Sequence, residues 1–501
     1  MGMMPRLNLS TTTPQPGPSW PDSDDLAGTP LFVGRLPLRR VRVMLDVPAA
    51  IEGSGDSRGP DAKLLEGLLA LDLIECLRYS DTGPPEDVSR RTISAFGEVA
   101  IGWAVLDPYE PDRGYRPVRW SLTGHNLTRA AVIGNASDCA ASDDSTDAYA
   151  DLAPGAGAEC RKADVLAAQV AEAFGADLFV TNRPYLHRMT WHPVDGVTFC
   201  TVRQALAVLG LYLRSQGRFV IANELDRRTT CGMNRGLFYW VGTRELLPAA
   251  WRWFAACVQE ANALGDDNLI FLGQSVLKRV QRALQVRDEV HVALNRRQDN
   301  DTADNAASAF DEVMLLLMGA TDATARVAHL LLGVTGPPRR AGWQSRTWLA
   351  EVASIERPLS EVFKPGTDHS HTLTILRTLR NTIHGEALST LRVSTGLRRE
   401  RTLLALPSGQ QGDLEAAIKT LGGTALWGIE PAVSGPMYAD PGVLLELLLP
   451  RVLSMLNRIM EATPVERFRH VRLQPHDGGP PADDQNFNEA TCRSIRWQLG
   501  L

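Results

Sequence analysis

Between residues 163 and 222 the chain switches repeatedly between two hydrophobic periods: helix at 163–174, strands at 177–181 and 196–200, helix at 202–215, strand at 218–222. Short β-rich runs separated by helices read as an α/β layer, because parallel neighbours need long crossover connections that helices supply. Upstream, VRVMLDV at 41–47 is a further apolar strand. It is followed by helical patterns at 62–78 and 88–105. An α/β, Rossmann-like domain over residues 30–225 is the expectation, with a largely parallel sheet.

From residue 243 the texture changes to long amphipathic helices, at 244–263, 268–297, 306–332, 345–362, 371–388 and 441–461. These read as an all-α helical bundle over 301–470, reached through a helical connector at 226–300. A β-hairpin insertion is expected at 389–406, with an edge strand at 425–429. Three segments are rich in small, polar or Pro and Gly residues: a disordered lead-in at 1–29, a flexible acidic loop at 135–159, and a linker-like C-terminal tail at 471–501.

The 52 basic and 58 acidic residues nearly balance, so bulk charge does not make this chain a nucleic-acid coat. Only five of the 52 are lysine, a usage expected of a high-GC bacterial genome, and arginine-containing motifs are therefore common by chance. Seven cysteines, widely spaced and without a CxxC pair, argue against a disulfide framework or structural zinc and fit a reducing cytoplasm. The sequence shows neither a signal-peptide pattern nor a run of 18 apolar residues, so a cytoplasmic protein with no membrane partner is expected. The phosphate loop GxxxxGK[ST], a GxGxxG after the first strand and the GxSxG elbow are absent, which leaves NTPase, dehydrogenase and hydrolase readings without support.

Chemistry in open α/β sheets gathers at the carboxyl ends of strands. That edge would collect Asp46, the Thr181–Asn182 pair and Asp164, which opens the helix feeding a later strand. The order from Asp164 through AAQVAEAFGADLFVTNRPYL to GVTFCT resembles the second half of PIN domains, the Mg²⁺-dependent ribonuclease fold. The resemblance covers about 60 residues well and residues 40–110 loosely. It implies a carboxylate set holding Mg²⁺, with Asp46 as the first-strand acid, Asp164 as the helix-start acid, and Glu98, preferred to Glu66, as the acid from an intervening helix. Asn182 falls where the family has an acid. The substitution points to a degenerate domain, and the ordinary alternative is that Asp164 caps a helix and Asp46 ends a strand.

In HTLTILRTLRNTIHGEAL (371–388), Arg377, Arg380, Asn381 and His384 share one helical face. Imidazole can move a proton near neutral pH, and guanidinium clamps a phosphate oxygen. The Arg-Asn pair occurs once in the chain, mid-bundle, between long helices at 306–333 and 441–460. The arrangement resembles HEPN domains, helical bundles that often act as metal-independent RNases in toxins and antiphage defence. The resemblance implies that His384 acts on the RNA 2′-OH, Arg380 or Arg377 stabilises the phosphorane, and Asn381 holds the pair. It also implies a homodimer, with no cofactor at that site. A solvated Arg380–His384 pair is the bland alternative.

Three weaker features complete the reading: a possible metal cluster at Asp368, His369 and His371, base-stacking candidates at Trp240, Trp251, Trp253 and Phe254, and phosphate contacts at Arg398, Arg399 and Arg401. The expectation is an RNA-cleaving or RNA-binding protein of HEPN type joined to a degenerate PIN-like domain, with a regulatory protein partner possible. Two alternatives stay open: a non-catalytic sensor or scaffold, and a Mg²⁺-dependent PIN nuclease with a helical dimerisation module.

Overall fold

A computed structural model describes residues 40–47, 59–83, 93–94, 97–98, 100–108, 115–122, 129–133, 148–188, 194, 196–222, 230–385, 388–393, 400–406, 411–430 and 437–501. The expected lead-in, the acidic loop as far as residue 147, and the hairpin tip with Arg398 and Arg399 lie outside the described residues. So do the side chains of Glu98 and His384.

The run VRVMLD forms β1 (Val41–Asp46). It sits inside a seven-stranded sheet with β2 (Ile74–Tyr79), β3 (Ala100–Leu106), β4 (Arg116–Leu122), β5 (Arg129–Ile133), β6 (Leu178–Val180) and β7 (Thr198–Cys200), in the order β5-β4-β3-β2-β1-β6-β7. The five strands from β3 to β7 across the sheet are parallel, and β4 and β5 extend the β3 edge antiparallel. Both faces of β1 are covered, so its apolar run is continuous rather than alternating. Val43 and Leu45 pack with α1 (Pro60–Leu69) and α4 (Val202–Ser215). Met44 points to the other face, against α2 (Pro154–Phe174).

Two expected helices are corrected. The pattern at 62–78 is helix only to Leu69, and Ile74–Tyr79 is β2, whose Ile74, Cys76, Leu77 and Tyr79 are buried where the strand pairs in parallel with β1. The pattern at 88–105 contains a short two-stranded ribbon, Ile93–Ser94 with Gly97–Glu98, and then β3, where β-branched and aromatic residues suit a pleated surface. The acidic loop expected to run to residue 159 gives way to α2 at Pro154, with proline in the first turn. The strand expected at 218–222 forms as β8 (Val220–Ala222), but it pairs with β9 (Thr230–Gly232) outside the main sheet.

A short α3 (Pro184–Arg188) follows β6, and the helical half begins at α5 (Arg235–Leu246) and α6 (Ala250–Leu264). Pro248 separates these two, dividing what reads as one helix in sequence. The long hairpin of α7 (Asn268–Leu294) and α8 (Asn300–Leu331) forms the spine. Among the described helices α8 alone is long and apolar enough to cross a membrane, and 67% of its most apolar window is buried in the bundle. The expected helix at 345–362 divides at Glu356 into α9 (Arg346–Ile355) and α10 (Arg357–Glu361), before Pro358. Then come α11 (Asp368–Gly385), the hairpin β10 (Ser389–Val393) and β11 (Arg401–Leu406), α12 (Gln411–Thr420), and α13 (Pro441–Ala462). The hairpin belongs to a four-stranded sheet completed by β12 (Ile429–Glu430) and β13 (Met437–Ala439); β12 lies at its edge, but the strand expected at 425–429 starts only at Ile429, after a turn.

The tail is not a linker. It ends in α14 (Glu489–Leu499), whose Trp497 joins the core of the α/β layer and whose Gln498 Nε2 donates to Val220 O at 2.7 Å. The two halves are further bound by Arg214 on α4, whose Nε and Nη2 donate to Asp288 on α7 at 2.6 and 3.0 Å. Tyr239 donates to the same carboxylate at 2.6 Å.

Candidate functional site

Leaving β1, the strand order runs through β2 and β3 on one side and β6 and β7 on the other, so the crevice of this sheet lies at the carboxyl ends of β1 and β6. Asp46 closes β1, Asp81 stands two residues beyond β2, and Thr181, Asn182 and Arg183 follow β6. Asp164 reaches the same edge from the middle of α2: the helix expected to open there begins at Pro154, so Asp164 is neither its first residue nor its cap. Asp46 and Asp164 are each 2% exposed.

What joins them is Arg183. Its Nε donates to Asp46 Oδ2 at 2.7 Å and its Nη2 to Asp46 Oδ1 at 3.4 Å. Nη2 also donates to Asp81 Oδ2 at 2.8 Å, and Nη1 to Asp164 Oδ1 at 3.3 Å. Hydroxyls occupy further lone pairs: Thr181 donates to Asp46 Oδ2 at 2.8 Å, Tyr149 to Asp164 Oδ2 at 2.8 Å and Tyr79 to Asp81 Oδ1 at 3.1 Å. The Tyr79 ring lies 5.7 Å from the guanidinium carbon. The turn itself is tied, since Arg183 N–H donates to Thr181 Oγ1 and His187 Nε2–H donates to Thr181 O.

Burial pushes the Asp164 carboxyl up to about 6, against the hydrogen bond from Tyr149 and the charge of Arg183. Burial also works against the Arg183 charge, but Asp46 and Asp81 outweigh it and hold the guanidinium above its ordinary range.

Thus Asp46 and Asp164 meet as the sequence anticipates, across a guanidinium that it did not anticipate. Asn182 is exposed on the adjoining turn, and Glu98 lies on the short ribbon with its side chain outside the described residues. Arg183, Asp81, Tyr79 and Tyr149 escaped sequence reasoning. The available signals were the position of Asp81 just past a strand misread as helix and the tight TNRP turn after β6. Mg²⁺ needs oxygens at about 2.0–2.1 Å in a near-octahedral array. Here the carboxylates sit 2.7–3.4 Å from the nitrogens of a planar cation that already fills the centre. As arranged, these residues fit a guanidinium and not Mg²⁺.

In the helical half, α11 carries Arg377, Arg380, Asn381 and His384 on one helix in mid-bundle. Arg380 Nη1 donates to Asn381 Oδ1 at 3.2 Å, and both residues are half-buried. Arg377 is 36% exposed, with Asp413 of α12 at 4.0 Å. Asp322 on α8 feels Arg326, Arg380 and Arg279, and burial nevertheless holds its carboxyl above the usual range. A groove of about 960 Å³ between the α7–α8 turn and the β10–β11 hairpin is lined by Arg296, Arg297, Arg392 and Arg401, with acids interleaved. Arg401 pairs with Glu430, and Arg392 with Glu400 at 3.8 Å.

Asp368 opens α11, and Thr367 Oγ1 accepts from Ser370 N–H in its first turn. His369 lines a cavity of about 660 Å³ with Glu446, Asn457 and Arg458, and burial lowers its pKa. Trp253 is core. Trp240, Trp251 and Phe254 box the buried Arg244, with the Trp251 ring centroid 3.6 Å from its guanidinium carbon. Burial pulls that arginine down to about 10.

Compared with protein-family models, curated proteins and solved structures, the chain matches none.

Proposed function

We propose that the protein acts on RNA through its helical half, as a metal-independent endoribonuclease of HEPN type, and that the α/β half is a PIN-like layer whose metal chemistry has been lost. The observation that carries this reading is the Arg380–Asn381 contact at 3.2 Å, made on the face of α11 that also holds Arg377 and His384. An amide that orients a half-buried guanidinium leaves its remaining N–H groups to clamp a phosphate. By the resemblance to HEPN domains, His384, one turn on, takes the 2′-OH proton. The 2′-oxygen then attacks the adjacent phosphorus, the P–O5′ bond breaks with the 5′-oxygen taking a proton from solvent, and Arg380 or Arg377 stabilises the charge that develops on the phosphorane. A homodimer would juxtapose two such helices. A role in a toxin or in phage defence, under a regulatory partner, follows from the family resemblance.

Support for the α/β part of the reading comes from the joint placement of Asp46 and Asp164 at the carboxyl edge and from the guanidinium between them. That same guanidinium favours a second reading, a sensor that binds RNA without turnover. Fragment ends separate the two. Purified protein incubated with total bacterial RNA is expected to leave 2′,3′-cyclic phosphate and 5′-hydroxyl ends. Intact RNA that is nevertheless retained on the protein would replace the nuclease reading with the sensor.

A further inference from the structure

We propose that Arg183 is the resident cation of the α/β edge: its guanidinium takes the place a divalent cation would need among Asp46, Asp81 and Asp164, and the edge becomes a divalent-cation site only when that side chain is removed. This inference does not rest on the RNA reading.

Three features argue for a built-in ion over a passing contact. The guanidinium spends a separate nitrogen on each of Asp46, by Nε at 2.7 Å, Asp81, by Nη2 at 2.8 Å, and Asp164, by Nη1 at 3.3 Å. Its side chain is 10% exposed, so it closes the crevice instead of skirting it. Its tether is short and fixed, because the Arg183 N–H is held by Thr181 Oγ1, the same hydroxyl that donates to Asp46, and Pro184 begins α3 immediately afterwards.

Charge gives the consequence. Three carboxylates gathered by one positive group leave an acidic excess, and removing that group sets them facing one another with nothing to neutralise them. Carboxylates in that situation either take up protons or recruit a cation. Asp81, half-exposed at the rim, leaves an entry path.

The test is a titration with Mn²⁺, read by its electron paramagnetic resonance and by thermal melting, on wild type, Asp46→Asn, Arg183→Ala, and Arg183→Ala combined with Asp46→Asn. Arg183→Ala is expected to bind one Mn²⁺ at least about tenfold tighter than wild type and to gain melting temperature on binding. The added Asp46→Asn should abolish that gain. Methylguanidinium, the severed side-chain head, should compete with Mn²⁺ and raise the melting temperature of Arg183→Ala alone. Wild-type binding of Mn²⁺ that disappears in Asp46→Asn would overturn the proposal, as would a folded Arg183→Ala that takes up none. An Arg183→Ala chain that neither methylguanidinium nor Mn²⁺ restores to a cooperative melt would overturn it equally.

Discussion

Asp164 is a carboxyl that the fold holds in an unfavourable place. Burial outweighs the Tyr149 hydroxyl and the Arg183 charge, leaving it near 6 instead of its ordinary 3.8. A raised carboxyl binds more protons folded than unfolded between those values, so its contribution to stability falls as pH rises from about 4 to about 6. The loss above that window is about 3 kcal/mol. Asp164→Asn removes the ionisation, and urea unfolding at pH 4.5 and pH 7 should show the wild type losing stability relative to the variant at the higher pH. A constant difference between the two would show that Asp164 does not titrate there. Glu446 works in the opposite sense. Burial would raise it, but hydrogen bonds from His291 and Arg287 hold it down to about 2, so its contribution is present above its ordinary 4.5 and fades as the pH falls through 2. Asp46 was legible in the sequence because a strand end is a local feature; Asp164 was read as the start of a helix but stands midway along α2, so its place at the edge comes from how that helix packs on the sheet. Arg183 was not legible, since its partners lie 137, 102 and 19 residues away and only the packed sheet brings them to one point.

At the scale of elements, the sequence reveals those whose period is unambiguous. The helix at α4 is bounded as read, with a Thr201–Gln204 capping box at its start, and the hairpin pairs Val393 with Arg401 as the alternation around residues 395–400 implies. Where apolar residues run together, as in AKLLEGLLALDLIECLR, both periods fit and neighbouring strands decide. Contacts between elements carry the next expectation. Arg214 and Asp288 are 5% and 6% exposed and tie α4 to α7. Arg214→Ala strands a buried carboxylate, and equilibrium denaturation should show a loss of about 3–5 kcal/mol. Joint replacement by apolar residues of similar volume should recover most of it. A loss below about 1 kcal/mol for the single change would mean that the pair is not buried in solution. Arg244 gives the contrast: it is boxed by aromatic rings, and among the described residues no acid pairs with it, so Arg244→Met should leave stability within about 1 kcal/mol.

For the whole molecule, the broad division into an α/β part and a helical part is visible in the change of texture near residue 243, while the union of the two is not. The last helix, α14, seals both halves, burying Ile495 and Leu499 in the helical core and Trp497 in that of the α/β layer. A tail rich in Gly, Pro and Asp hides it, because its few apolar residues gain meaning only against α4 and α5. A chain ending at Arg472 should lose roughly 1.5–3 kcal/mol for each of those three side chains and become sensitive to proteolysis in both halves. Protection that survives in one half would show that it folds alone. In the proposed reading RNA is cleaved on α11, and Arg183 occupies the α/β edge among Asp46, Asp81 and Asp164. The most direct test sets wild type, His384→Ala and Asp164→Asn side by side against RNA, in EDTA and again in Mg²⁺. The prediction is cleavage by wild type and Asp164→Asn and none by His384→Ala; cleavage that needs Mg²⁺, persists in His384→Ala and is lost in Asp164→Asn would contradict it.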